Sequence, residues 1–125
     1  MSERAATSPP EGPPSVLVVC LCAAWCGVCR EYRPRFEQAA AAMPHARFEW
    51  VDVEDEADML DPIEVENFPT VLIARDGEAR FFGTVTPQIE TLERLVRAHV
   101  QDETGAALVD PELRALLERL LQAHR

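Results

Sequence analysis

The chain has no lysine, so all twelve of its basic residues are arginine; 22 acidic residues outweigh them, for a net charge of −10. A chain this acidic lacks the basic patch that nucleic-acid binding needs, and the charge suits a solvated surface. No export start is expected either. Residues 1–15 are polar and carry four prolines, with no positive start leading into an apolar core. The longest apolar stretch, Val16 to Val28, is broken by cysteines and glycine and is too short to cross a bilayer. Cysteines are absent everywhere except positions 20, 22, 26 and 29, which rules out a dispersed disulfide framework and points to redox or metal chemistry in a reducing compartment. The expectation is a cytoplasmic protein with no membrane segment. At 125 residues it can bury the core of one small domain without staples.

What is present centres on Trp25-Cys26-Gly27-Val28-Cys29. The buried-strand pattern Val16 to Leu21 precedes it, and the helix-compatible run Glu31 to Met43 follows. At a helix N-terminus, unpaired N–H groups and the helix dipole would favour a Cys26 thiolate. Cys29 falls one turn deeper on the same face, within the Cα separation that a disulfide tolerates. One sulfur is then exposed and nucleophilic, the other sheltered.

This stretch resembles the active site of the thioredoxin family, whose usual form is Trp-Cys-Gly-Pro-Cys. Phe68-Pro69-Thr70 ahead of the strand-like Val71 to Ala74 resembles the family's cis-proline turn. Pro34 matches its helix-kinking proline, Asp76-Gly77-Glu78 its hairpin turn, and Gly83 a glycine late in the second hairpin strand. The similarity covers roughly residues 16–100. It implies an α/β fold, a shortened thioredoxin-like domain with a central mixed sheet flanked by helices. It also implies thiol–disulfide exchange at Cys26 and Cys29, with Trp25, Gly27, Val28, Phe68 and Pro69 contacting the substrate and no metal or cofactor involved. Expected partners are protein disulfides and an electron donor such as a thioredoxin-reductase-like enzyme.

In chain order, 1–15 is expected to be a proline-rich disordered arm, 16–103 the thioredoxin-like domain and 104–125 a helical extension. Fifteen such residues cannot supply the strand and helix that complete thioredoxins place first. The active-site helix is expected from Cys26 to Met43 with Val28, Tyr32, Phe36 and Ala40 as its apolar stripe. A second parallel strand spans Phe48 to Val53, and 54–66 forms a short helix and loop. Thr86-Pro87 is expected to start a helix with proline at its first position, burying Ile89, Leu92, Leu95, Val96 and Val100. Asp110-Pro111 caps a last helix whose Leu113, Leu116, Leu117, Leu120 and Leu121 make one stripe. Packing of that stripe on its own domain is expected, with a monomer favoured over a dimer.

Two departures from the family bear on mechanism. Cys20 and Trp50 occupy the positions where thioredoxins keep a buried aspartate and commonly a lysine, so these two are expected to tune the redox chemistry and no proton shuttle carries over. Val28 replaces the motif's proline and restores a backbone N–H. Cys20 and Cys22 share a strand face and read as small buried hydrophobes. One of them could instead be a third redox thiol near Cys29, and the four cysteines could in principle bind metal only if the strand residues left the core. His45, His99 and His124 are scattered and lack ligand spacing. The rival to a disulfide reductase is a thioredoxin-like binding or chaperone module in which the CxxC is secondary.

Overall fold

The structure is a computed structural model that describes residues 16–61, 63, 65, 67–101 and 107–123. The expected proline-rich arm and His124 lie outside these residues. The elements run β1 (Val16–Cys22), α1 (Gly27–Ala42), β2 (Ala46–Asp52), α2 (Ala57–Leu60), β3 (Thr70–Arg75), β4 (Glu78–Thr84), α3 (Ile89–Gln101) and α4 (Pro111–Ala123). Strand order in the sheet is β2-β1-β3-β4, with β1 parallel to β2 and antiparallel to β3, and β3 antiparallel to β4. This is the mixed sheet flanked by helices that the motif order implied.

Every residue of β1 is buried, because both faces of the sheet are covered. Val16, Val18, Cys20 and Cys22 face a cluster that includes Tyr32 and Phe36 of α1 and Leu92 and Val96 of α3. Leu17, Val19 and Leu21 face the opposite way, onto Leu60 of α2 and Leu116, Leu117 and Leu120 of α4. The alternation of β1 thus places the two strand cysteines on the α1 side. The hairpin between β3 and β4 turns at Asp76 and Gly77, both in the left-handed region at φ 53° and 83°. Two such residues in succession make the turn whose twist matches that of its strands.

Two expectations about helices need correction. The buried stripe of α1 is Cys29, Tyr32, Phe36 and Ala39, while Val28 is exposed and Ala40 only partly covered. A strict four-residue repeat drifts off the face of a helix with 3.6 residues per turn, and the observed spacing follows that turn. Pro34 lies inside this helix as expected. The third major helix starts at Ile89, not at Pro87, so that proline belongs to the approach and not to the first helical position. Its inward residues Leu92 and Val96 are buried, with Ile89, Leu95 and Val100 packed against the same cluster.

The last helix starts as its sequence suggests. Asp110 Oδ1 accepts the Glu112 N–H at 2.8 Å, and Pro111 is its first residue. Leu113, Leu116, Leu117 and Leu120 are buried, with Leu121 partly so against the same cluster. Arg119 adds a tie to α2, donating from Nε to the Met59 carbonyl at 2.6 Å. The stripe is therefore buried against the chain's own sheet.

Candidate active site

The sequence between β1 and α1 positions the sulfurs. Cys26 has extended backbone, φ −85° and ψ 124°, and stands as the N-cap residue of α1 without a side-chain cap. Its N–H donates to the Ala23 carbonyl at 3.1 Å, and its own carbonyl accepts the Arg30 N–H at 3.1 Å. The turn thus closes on itself and hands directly into the first helical turn. Cys26 is a free thiol and half-buried, whereas Cys29 is only 1% exposed.

The expected Cys26–Cys29 pairing is not the one present. Cys29 is joined to Cys22 in a disulfide whose Cα atoms lie 5.7 Å apart. The strand supplies the reason. β1 extends one residue beyond the expected Leu21, so Cys22 remains in the sheet with its side chain on the α1 face, where the inward turn of α1 brings Cys29. The Ala23 N–H donates to Cys29 Sγ at 3.3 Å and holds that sulfur under the turn. Of the two strand cysteines, Cys20 is the small buried hydrophobe that both were expected to be, and Cys22 is not.

The residues expected to contact substrate gather around Cys26. Trp25 is 61% exposed, and its indole N–H donates to Glu54 Oε2 at 2.8 Å. Its ring meets Phe68 edge-on at 5.8 Å, which brings the Phe68–Pro69 turn beside the start of α1. That peptide bond is cis. Pro69 is buried, and its carbonyl accepts the Val85 N–H at 3.0 Å. Gly27 and Val28 are exposed on the first turn of α1.

Beneath the sulfurs the environment is apolar. Cys20 is fully buried, and burial pushes its thiol up to about 12. Burial, together with the neighbouring Cys20 charge, also raises the Tyr32 hydroxyl, which has no hydrogen-bond partner among the described residues. Trp50 is the β2 partner of Cys20 in the register. It packs against Phe36 at 5.6 Å, and the Arg33 guanidinium lies over its ring at 5.3 Å. A cation therefore does stand near the lost lysine position, supplied by α1 and not by the strand.

A cleft of about 220 Å³ opens between these groups, lined by Ala23, Ala24, Cys29, Arg33, Trp50 and Asp52. Asp52 is the functional residue that sequence reasoning missed. Its Oδ2 accepts the Ala24 N–H at 3.0 Å, and its Oδ1 accepts the N–H groups of Glu54 at 2.9 Å and Asp55 at 3.1 Å. Partial burial works to raise its carboxyl, but those three backbone donors and the nearby Arg33 charge outweigh it and leave the carboxyl below the usual value. Asp52 thereby ties the active-site turn to the end of β2. Its signal in the sequence was an acidic residue where strand alternation called for an inward side chain. Arg30 braces the turn as well, donating to the Ala24 carbonyl at 3.0 Å.

The family model of thioredoxin matches residues 12–98. An H-type thioredoxin of Oryza sativa subsp. indica is 33% identical over 92 residues, a match covering 74% of this chain and 75% of that protein. An H-type thioredoxin of Fagopyrum esculentum is 35% identical over 63 residues, 50% of this chain, which spans 54% of that relative. The structure of Fasciola hepatica thioredoxin superposes with a TM-score of 0.62 at 27% identity, covering 68% of this chain and 81% of that one. The chain belongs to the thioredoxin family and is a thiol–disulfide oxidoreductase.

Proposed function

We propose that the protein reduces disulfides in other proteins, with Cys26 as the entering nucleophile and Cys29 as the resolving thiol. One observation carries this assignment: Cys26 is a half-exposed thiol at the N-terminus of α1, and Cys29, one turn deeper, is buried. The first turn of a helix directs its leading N–H groups towards that end, where Cys26 stands. The Cys26 thiolate attacks a substrate disulfide, forming a mixed disulfide and releasing one substrate thiolate, which takes up a proton. Cys29, once free and deprotonated, attacks Cys26 Sγ and releases the second substrate thiol, leaving two electrons in the substrate. Trp25, Phe68 and Pro69 border the site and support contact with an extended substrate segment, while Gly27 and Val28 leave the first turn of the helix open to it. Cys20 and Trp50 shape the apolar floor and tune the exchange.

The reduced form is regenerated by a dithiol donor of the thioredoxin-reductase type. A monomer fits a leucine stripe turned inward, and a reducing compartment such as the cytoplasm fits the chemistry. No described helix is long and apolar enough to cross a membrane. Residues 16–103 form the catalytic unit in this scheme and 104–125 its covering extension. Insulin reduction with dithiothreitol tests the assignment. Cys26→Ser is expected to fall to the dithiothreitol background, while Cys29→Ser accumulates a mixed disulfide at Cys26. Wild-type turnover by Cys26→Ser would refute it.

A further inference from the structure

Cys22, Cys26 and Cys29 share one cluster beside the start of α1, and only two of them are needed for the reaction described above. Cys22 is fully buried, Cys29 is 1% exposed, and the two are bonded. Cys26 alone of the three is free, and it packs against the same cluster as the other two. A dithiol donor approaching from solvent therefore meets Cys26 first, ahead of the buried bonded pair. Cys20, two residues back on the same strand face, stays a thiol in this structure.

We propose that Cys22 is a third redox thiol that takes over the disulfide from Cys26, so that the resting oxidised protein carries a protected Cys22–Cys29 bond and a free Cys26. The proposal rests on Cys26 being the entry thiol. After a substrate has been reduced, the protein holds Cys26–Cys29. Cys22 gives up its proton and attacks Cys29 Sγ; the Cys22–Cys29 bond forms, the Cys26–Cys29 bond breaks, and the Cys26 sulfur leaves with the electron pair and the proton. Nothing is oxidised or reduced overall, so no outside reagent is needed. Recovery runs the same step backwards: Cys26 attacks Cys29, Cys22 is released, and the donor dithiol then reduces Cys26–Cys29 from the exposed side. The device shelters the oxidised state from stray thiols and leaves one sulfur at the surface on which a partner can dock covalently.

The test uses the full chain oxidised with one equivalent of diamide, which removes two electrons. Free thiols are alkylated with iodoacetamide under native and then denaturing conditions, disulfides are reduced, and the released thiols are capped with N-ethylmaleimide. No arginine lies between positions 5 and 29, so one tryptic peptide carries all four cysteines and its fragment ions read each label. The expected pattern is maleimide on Cys22 and Cys29 with iodoacetamide on Cys26 and Cys20. Maleimide on Cys26 and Cys29 in most molecules would overturn the proposal. A second readout does not depend on fragmentation. Under native conditions oxidised wild type is expected to release about one equivalent of thionitrobenzoate from Ellman's reagent, and oxidised Cys22→Ala almost none. Equal release from the two proteins overturns the proposal, and Cys22→Ser replaces Cys22→Ala should the latter fail to fold. Insulin reduction by Cys26→Ser reports separately on the entry role, so a plain two-cysteine reductase and a mistaken nucleophile give different results.

Discussion

In the proposed mechanism, resolution of the mixed disulfide requires Cys29 to lose a proton, and no ready base stands beside it among the described residues. Cys20 stands where the family keeps an acid, and burial pushes it up to about 12. At pH 7 that leaves a thiolate fraction near ~10⁻⁵, a cost of about 7 kcal/mol, too much for a useful proton acceptor. The Tyr32 hydroxyl is raised too. Asp52 is ionised, but three backbone N–H groups occupy its oxygens and hold it below the usual carboxylate value, which makes it a weak base. Solvent hydroxide must then serve, and the resolution rate should rise by up to ~tenfold per pH unit from pH 6 to 8. Cys20→Asp supplies a carboxylate where the cysteine stands and is expected to raise the rate at pH 7 by ~10²-fold and flatten the profile, in the range of general-base catalysis. It should also destabilise the fold. A buried carboxyl titrates above its unfolded value, so the unfolded chain gives up its proton first and stability falls as pH rises from about 4 towards neutrality. Stopped-flow tryptophan fluorescence reads the step through Trp25 and Trp50, in a Cys22→Ala background that keeps the third sulfur out of it. A fast step that is flat from pH 6 to 9 before Cys20 is replaced would refute the reasoning.

Leu116 is fully buried between α4 and the sheet, so Leu116→Ala should cost about 3 kcal/mol and lower Tm by about 10 °C. Calorimetry across a concentration series checks this, and a Tm that climbs with protein concentration would mean that the leucine stripe is buried between copies. Asp52→Asn replaces a charged acceptor of three N–H groups. Because the side chain is only half-buried, the expected loss at pH 7 is about 1 kcal/mol, measured by urea unfolding. A carboxyl lowered by folding stabilises above its unfolded value and loses that contribution as pH falls, so the gap between wild type and Asp52→Asn should close below about pH 4. Trp25→Ala removes a ring that is mostly in solvent and should raise KM for a disulfide-containing peptide while moving Tm by little; equal KM values would remove Trp25 from substrate contact.

Much of this molecule was legible in one dimension because its signals are local. An unbroken apolar strand, a CxxC at a strand-to-helix junction, a Phe-Pro-Thr turn before the next strand and an Asp-Pro cap each depend on a few neighbouring residues. Local chemistry alone places those elements and their order. The partner of Cys29 was of another kind. Sequence spacing favours Cys26, three residues away on one helix, over Cys22 on a different element. That preference is overturned only when β1 runs to its seventh residue and the inward face of α1 lies over it. Asp52 was hidden for the same reason, since its acceptors meet N–H groups from a turn 28 residues earlier as well as from its own loop. Local sequence sets which elements form, because helix caps, turns and strand alternation act over a few residues. Which sulfur meets which was left to the tertiary structure, because a disulfide needs two Cα atoms within a few ångströms, and only the packing of a helix on a sheet determines that distance.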